Sequence, residues 1–179
     1  MNPETLIHKY YAGQPELEQL LLVHSRQVAD MALCICDAHP DLRMDRTFLY
    51  EAAMLHDIGI LETDAPGIHC RGMEPYIRHG IIGAEMLRRE GLPRHAGVAE
   101  RHTGTGLTVQ QIERQKLPLP LRDFSPKTLE EQAICYADKF FSKSKPDERK
   151  TYERVLKSLE RFGPEGVERF CRWHEIFAV

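Results

Sequence analysis

Apolar positions recur with a helical period along nearly the whole chain. Between 16 and 39, Leu17, Leu20, Leu21, Val28, Ala32 and Ile35 are spaced by three, four and seven, which predicts one long amphipathic helix bracketed by Pro15 and Pro40. A second helix is predicted over 46–57, with Phe48, Leu49, Ala52, Ala53 and Leu55 on its core face, Asp45 as its N-cap and Gly59 as its terminator. Residues 61–74, punctuated by Pro66, Gly67 and Gly72, read as a long loop, and long loops in compact domains tend to be functional. The stripe Ile77, Ile81, Ala84, Leu87 predicts a helix over 76–90 that finishes at Gly91, and Pro93 opens a shorter one to about residue 102.

Thr103-Gly-Thr-Gly then interrupts the period. A short polar helix is expected over 108–116, followed by a rigid extended connector at Pro118, Pro120 and Ser125-Pro126. Thr128-Leu-Glu-Glu has the form of a capping box leading a helix to about residue 142. Two further helices, 146–161 and 164–177, each open with proline and are separated by Gly163. No strand-type alternation and no internal repeat interrupts this pattern, so the expected fold is all-α, a single helical domain over 1–179.

Composition agrees with a folded domain: of 179 residues, 42% are hydrophobic and 28% charged, enough for one sizeable core. Lys and Arg number 24 against 27 Asp and Glu, a net charge of −3, so there is no strong nucleic-acid signal. The apolar runs are too short to span a bilayer and the first residues lack a secretory pattern, so cytoplasmic residence is expected. Cys34, Cys36, Cys70, Cys135 and Cys171 contain no CxxC pair and are expected as reduced thiols. Val155, Leu159, Phe162, Val167, Phe170 and Trp173 are expected to close the core, a homodimer interface being the alternative use of that face.

The nine histidines change this picture by where they fall. His24, between Leu20 and Val28 at helical spacing, points from a core-packing face, where a polar group needs a partner. His56-Asp57 closes the buried 46–57 helix, an unfavourable end for a carboxylate unless a cation is present. Asp138 shares a stripe with Ile134 and Phe141, where an unpaired charge is expensive. His69 and Cys70 lie on the 61–74 loop and are second-rank candidates, and His8, His39, His95 and His174 are expected at the surface.

His24, Leu55-His-Asp-Ile-Gly and Tyr136-Ala-Asp-Lys together resemble the H…HD…D signature of the HD-domain metal-dependent phosphohydrolases in their HDIG form, over about residues 20–145. The resemblance implies a helical fold in which His24, His56, Asp57 and Asp138 bind a divalent metal. His79 and His102 stand where dinuclear members carry extra ligands, so that Asp57 bridges to a second ion. The pattern is closest to the diadenosine tetraphosphate hydrolase branch and to uncharacterised HDIG proteins with a His-x-Gly-x-Gly-Leu-Thr stretch. It departs from the HD-GYP cyclic-dinucleotide phosphodiesterases, with Ile60 after HDIG instead of lysine and Gly104-Thr-Gly-Leu instead of Gly-Tyr-Pro.

The expected activity is therefore hydrolysis of a phosphoester or phosphoanhydride of a small nucleotide-like substrate by metal-bound water, with His56 and Asp57 at the catalytic centre. Mixed imidazole and carboxylate ligation suits one or two ions of Fe, Mn, Co, Ni or Zn. Lys139, foremost, then Arg78, Arg101 and Arg26 lie near ligands in the chain and are candidate phosphate partners. The alternatives are a non-catalytic metal- or nucleotide-sensing module and a di-iron oxygenase on the same scaffold.

Overall fold

The computed structural model describes residues 1–179 as nine α-helices with one very small sheet. The helices are α1 Pro3–Tyr11, α2 Pro15–Ala38, α3 Arg46–Leu55, α4 His79–Arg89, α5 Pro93–Arg101, α6 Val109–Gln115, α7 Leu129–Asp138, α8 Tyr152–Leu159 and α9 Pro164–Phe177. Their starts follow local chemistry. Asp45 accepts from the Phe48 N–H at the head of α3, Thr128 from Glu131 at α7, and Thr108 with Gln111 forms a reciprocal capping box at α6. The capping-box expectation at Thr128 is met in half, because only the threonine side of the exchange is made there.

One continuous apolar core joins α2, α3, α5, α7 and α9, with Leu21, Ile35, Leu49, Leu55, Ile134 and Phe170 fully buried. Each such side chain contributes about 1.5–3 kcal/mol by leaving water. Val155, Leu159, Phe170 and Trp173 belong to this core, as the C-terminal pattern predicts. Helix α1, which the reading above does not include, adds Leu6, Ile7 and Tyr11 to it, and the Tyr11 hydroxyl donates to the Ile58 carbonyl at 2.8 Å. A smaller cluster of Ile81, Leu107, Ile112 and Phe124 seats the proline-rich connector.

Three expectations are corrected. The 61–74 stretch is built around strands β1 Thr63–Ala65, β2 Cys70–Arg71 and β3 Glu74–Pro75, in the order β2-β1-β3, with β1 antiparallel to β2 and parallel to β3. Strands of two or three residues are too short to show a period in sequence. Helix α7 stops at Asp138 and α8 starts only at Tyr152, so 139–151 is a loop, closed on itself by the Lys150 N–H donating to the Phe140 carbonyl at 2.8 Å. Phe140 and Phe141 still pack on the core, but the charged run 143–150 that follows offers no apolar face to hold a helix there.

The third correction concerns Gly59. Helix α3 ends four residues earlier, at Leu55, and Gly59 lies in a 3-10 turn, Ile58–Glu62, pressed against α4. A Cβ there would collide with the His79 carbonyl and the Gly83 backbone. The glycine therefore lets two backbones meet, which sets His56-Asp57 and His79 beside each other. Gly59→Ala is expected to cost on the order of 3 kcal/mol, at or above the usual range for overpacking, because backbone cannot yield as a side chain can. Urea denaturation of the two proteins measures this, and an unchanged midpoint would show that the turn is free to shift.

Candidate metal centre

Six side chains from five places in the chain converge on one buried point. His24 comes from the middle of α2, His56 and Asp57 from the residues just past α3, His79 from the start of α4, His102 from just past α5 and Asp138 from the end of α7. Asp57 is at the centre of them. Its Oδ2 lies 3.1 Å from His24 Nε2 and 3.0 Å from His56 Nε2, while its Oδ1 lies 3.4 Å from His79 Nε2 and 3.3 Å from His102 Nε2. Asp138 Oδ1 completes the first side, 3.1 Å from His24 Nε2 and 3.6 Å from His56 Nε2. Two donor sets result, His24, His56, Asp57 and Asp138 on one side and Asp57, His79 and His102 on the other, and both are placed to hold a metal ion.

The orientation of these atoms is as informative as their spacing. Asp57 Oδ2 is met by the Lys143 ammonium, but His24 Nε2, His56 Nε2 and Asp57 Oδ1 are buried without a hydrogen-bond partner, despite lying so close to neighbouring donor atoms. They aim at shared space instead of at each other. Ligands about 2.1 Å from a common ion lie roughly 3.0–3.4 Å apart, the spacing found here.

The imidazoles give a second argument. His56, His79 and His102 each set Nδ1 against the carbonyl three residues back, that of Ala53 at 2.6 Å, Tyr76 at 2.6 Å and Ala99 at 2.7 Å. A carbonyl only accepts, so each Nδ1 carries the proton and donates. Burial pushes the pKa of His79 down to about 3 and lowers that of His102, leaving both neutral. Their Nε2 atoms therefore face each other at 3.0 Å with two lone pairs and no proton between them. Such an approach is repulsive until a cation lies alongside, and the fixed Nδ1 partner is the outer contact that a metal-ligating histidine needs.

Charge on the carboxylates is held locally. Burial disfavours it at Asp57, but Lys143 and then His56 outweigh that and keep the carboxyl well below the usual range. At Asp138 burial is likewise outweighed by Lys139 and the two histidines. Burial also opposes a charge on His56, yet Asp57 and Asp138 lift its pKa to about 9. The metal-free protein thus stores a proton on His56 at neutral pH, and that proton must leave before Nε2 ligates. Calorimetric titration with Mn²⁺ at pH 7.5, in buffers of differing ionisation enthalpy, is expected to show release of about one proton per chain, with affinity falling as pH is lowered below 9. A proton count near zero would mean that His56 is already neutral.

A cavity of about 560 Å³ opens onto this centre, lined by His24, His79, His102 and Asp138, by the aromatic rings of Tyr76, Phe141 and Phe162, and by Lys139 and Lys143. Lys139 Nζ lies 2.6 Å from Asp138 Oδ2, and Lys143 Nζ is paired with Asp57 Oδ2. The reading of the sequence did not find Lys143, nor Tyr76, which stacks on His79 with ring centroids 4.7 Å apart. The only signal for Lys143 was its place five residues after Asp138, in a stretch expected to join two helices.

The three arginine candidates do not line the cavity. Arg26 pairs with Glu4 at 2.9 Å, and Arg78 with Glu74 at 2.8 Å and the Pro118 carbonyl at 3.2 Å. Arg101 grips Glu131 with two nitrogens and lies 3.7 Å from buried Glu100, which also binds Arg88 and Arg122. A guanidinium close to a ligand in sequence points to the other side of its helix.

His69 is half-exposed, 3.6 Å from Glu16 and away from the centre, and Cys70 is buried in β2. Of the histidines expected at the surface, His95 is buried beside Phe48 with Nε2 3.2 Å from Glu51, and His174 is part-buried with Nδ1 2.8 Å from the Tyr136 hydroxyl. Both lie on faces that α3 and α7 cover, which no local pattern reveals.

Comparison with known proteins places this geometry in context. The chain is 30% identical over 176 residues to a tRNA (cytidine(56)-2′-O)-methyltransferase of Thermoplasma volcanium, and 35% identical over 126 residues to the protein of the same name from Picrophilus torridus. These matches take in 97% and 70% of this chain but only 45% and 32% of the relatives, so the chain spans less than half their length. An uncharacterised protein of Methanocaldococcus jannaschii is 32% identical over 156 residues, 87% of this chain and 81% of its own. No solved structure matches. The HD domain matches residues 21–142, a span that contains all six converging side chains and stops one residue short of Lys143. On that match, and with a buried His/Asp cluster placed to hold metal, the chain belongs to the HD-domain family.

Proposed function

We propose that this protein is a divalent-metal-dependent phosphohydrolase of a nucleotide-sized substrate, with Asp57 shared by the two donor sets that would hold its metal. The observation that carries the reading is the convergence of six buried side chains in two donor sets, with His24 Nε2, His56 Nε2 and Asp57 Oδ1 turned to the shared space without a hydrogen-bond partner. His24, His56, Asp57 and Asp138 would hold one ion and Asp57, His79 and His102 the other. A divalent cation there supplies Lewis-acid charge on the phosphoryl oxygens and lowers the pKa of water that attacks phosphorus.

The chain's own residues do the rest. Lys139 and Lys143 place two ammonium charges at the cavity wall beside the ligand carboxylates, where they neutralise a phosphate. Tyr76, Phe141 and Phe162 offer flat apolar surface to a base or sugar. Complete burial of His56 and Asp57 keeps bulk water from competing for the donors.

The relatives named for 2′-O-methylation of tRNA favour a substrate drawn from RNA. We assign methyl transfer to the part of those proteins that this chain does not span. The long match to the Methanocaldococcus jannaschii protein supports an HD unit that stands without that part. The test is phosphate release by the Mn²⁺-, Fe²⁺- or Co²⁺-loaded protein from nucleoside monophosphates, dinucleoside polyphosphates and short RNAs with terminal phosphates. Release that requires metal supports the reading. Metal binding without release from any of them favours a sensing module, and oxygen uptake by the iron form favours an oxygenase.

A further inference from the structure

The proposed reaction uses Lys139 and Lys143, each already paired with a ligand carboxylate. The same cavity is lined by two more cations, Lys150 and Arg161, together with Ser142, Ser144 and Ser158. Neither makes an ion pair with a carboxylate. Lys150 donates one hydrogen to the Lys139 carbonyl at 3.3 Å, and Arg161 lies over the ring of its neighbour Phe162, 4.7 Å from the centroid.

Lys150 is half-buried, and burial, with Lys139, Arg161 and Arg154 nearby, pushes its pKa down against the pull of Asp138. Lys139 and exposed Arg161 crowd half-buried Lys150, and the attractive charge within reach, Asp138, is already paired with Lys139, so an anion in the cavity relieves the repulsion. The loop is pinned for this. Its closing bond from Lys150 N–H to the Phe140 carbonyl holds Lys139, Lys143 and Lys150 on one short stretch of wall.

A cavity of about 560 Å³ has room for more than a single phosphate. Ser158 already donates to the Val155 carbonyl and Ser142 pairs with Ser144, so the remaining donors are an ammonium, a guanidinium and one hydroxyl of that serine pair, which suit the several acceptor oxygens of a phosphoryl group. We propose that Lys150 and Arg161 form a second phosphate subsite, so that the substrate carries two phosphoryl groups, one at the metal centre and one here. This rests on the phosphohydrolase reading for the first group and adds the requirement for the second.

The test separates the two. Calorimetric titration of the Mn²⁺-loaded protein with inorganic pyrophosphate and with orthophosphate reads binding apart from nucleotide turnover. Pyrophosphate is expected to bind at least about tenfold more tightly, and Lys150→Gln/Arg161→Gln to lose that preference while Lys150→Arg keeps it. Lys157→Gln, which removes an exposed charge from α8 outside the cavity lining, controls for net charge. In the Mn²⁺-loaded protein, kcat/KM for a nucleoside 5′-diphosphate and for a 5′-phosphorylated dinucleotide is compared with that for a nucleoside 5′-monophosphate. Preference for the diphosphate assigns a pyrophosphate-linked second group, and preference for the dinucleotide a phosphodiester-linked one. Equal affinity for pyrophosphate and orthophosphate, or the same loss in Lys157→Gln, overturns the subsite even if the monophosphate is hydrolysed. The pyrophosphate preference without turnover of any substrate leaves the subsite and overturns the hydrolase.

Discussion

Asp57→Asn is expected to remove metal and hydrolysis together. The substitution keeps shape and volume but replaces the one group that faces both donor sets with a neutral amide. Bound metal should fall from close to two ions per chain to a small fraction of one. The value of kcat/KM should drop by at least about 10³-fold, beyond the loss of a single transition-state donor.

A second readout is independent of activity. An ion at a hundred times its Kd stabilises the fold by about 2.7 kcal/mol, which for a domain of this size raises Tm by roughly 5–10 °C. That shift should be present in the native protein with Mn²⁺ and absent in Asp57→Asn. Full metal content and an undiminished shift in the variant would mean that Asp57 does not bridge, and the dinuclear reading would fall. His56→Ala/Asp57→Ala should behave alike.

Lys143→Gln is expected to separate binding from chemistry. Without metal, the ammonium is paired with Asp57 Oδ2, an oxygen that the ion also needs. Removing it deletes a competitor, so apparent metal affinity should rise. It also deletes a charge of the cavity wall that the proposed reaction uses against phosphate, so kcat/KM should fall by about 10²-fold. Tighter metal with slower turnover is a signature that a merely structural lysine would not give, since damage to the loop would weaken both. Lys143→Arg should recover part of the rate. Turnover at the native level in Lys143→Gln would remove this residue from the mechanism.

Much of the site was legible because its signals are local. His24 and Asp138 stand on apolar stripes, and a charge or imidazole aimed at a core demands a partner whatever the fold. The objection to a carboxylate at the end of α3 was sound in kind but misplaced by two residues: the helix stops at Leu55 and Asp57 opens the next turn, free of the last helical carbonyls. The arginines misled for a physical reason. Arg26, Arg78 and Arg101 sit near ligands in the chain, but a helical neighbour is rotated by about 100° and faces another environment. Each found a carboxylate there, Glu4, Glu74 and Glu131.

The sequence by itself determined the helical class and most helix positions and marked His24, His56, Asp57 and Asp138, because periodicity, caps and misplaced polarity act over a few residues; His79 and His102 were named only through the resemblance to the HD family. Only the tertiary structure decided which charges meet. It brought Lys143 and Lys150 to the cavity from a segment without apolar period and Arg161 from the turn that follows α8, set Tyr76 against His79, and turned Gly59 from an expected helix stop into the contact between two backbones. A pairing such as Lys143 with Asp57, 86 residues apart, depends on how helices pack, and packing is a property of the whole core that no local pattern contains.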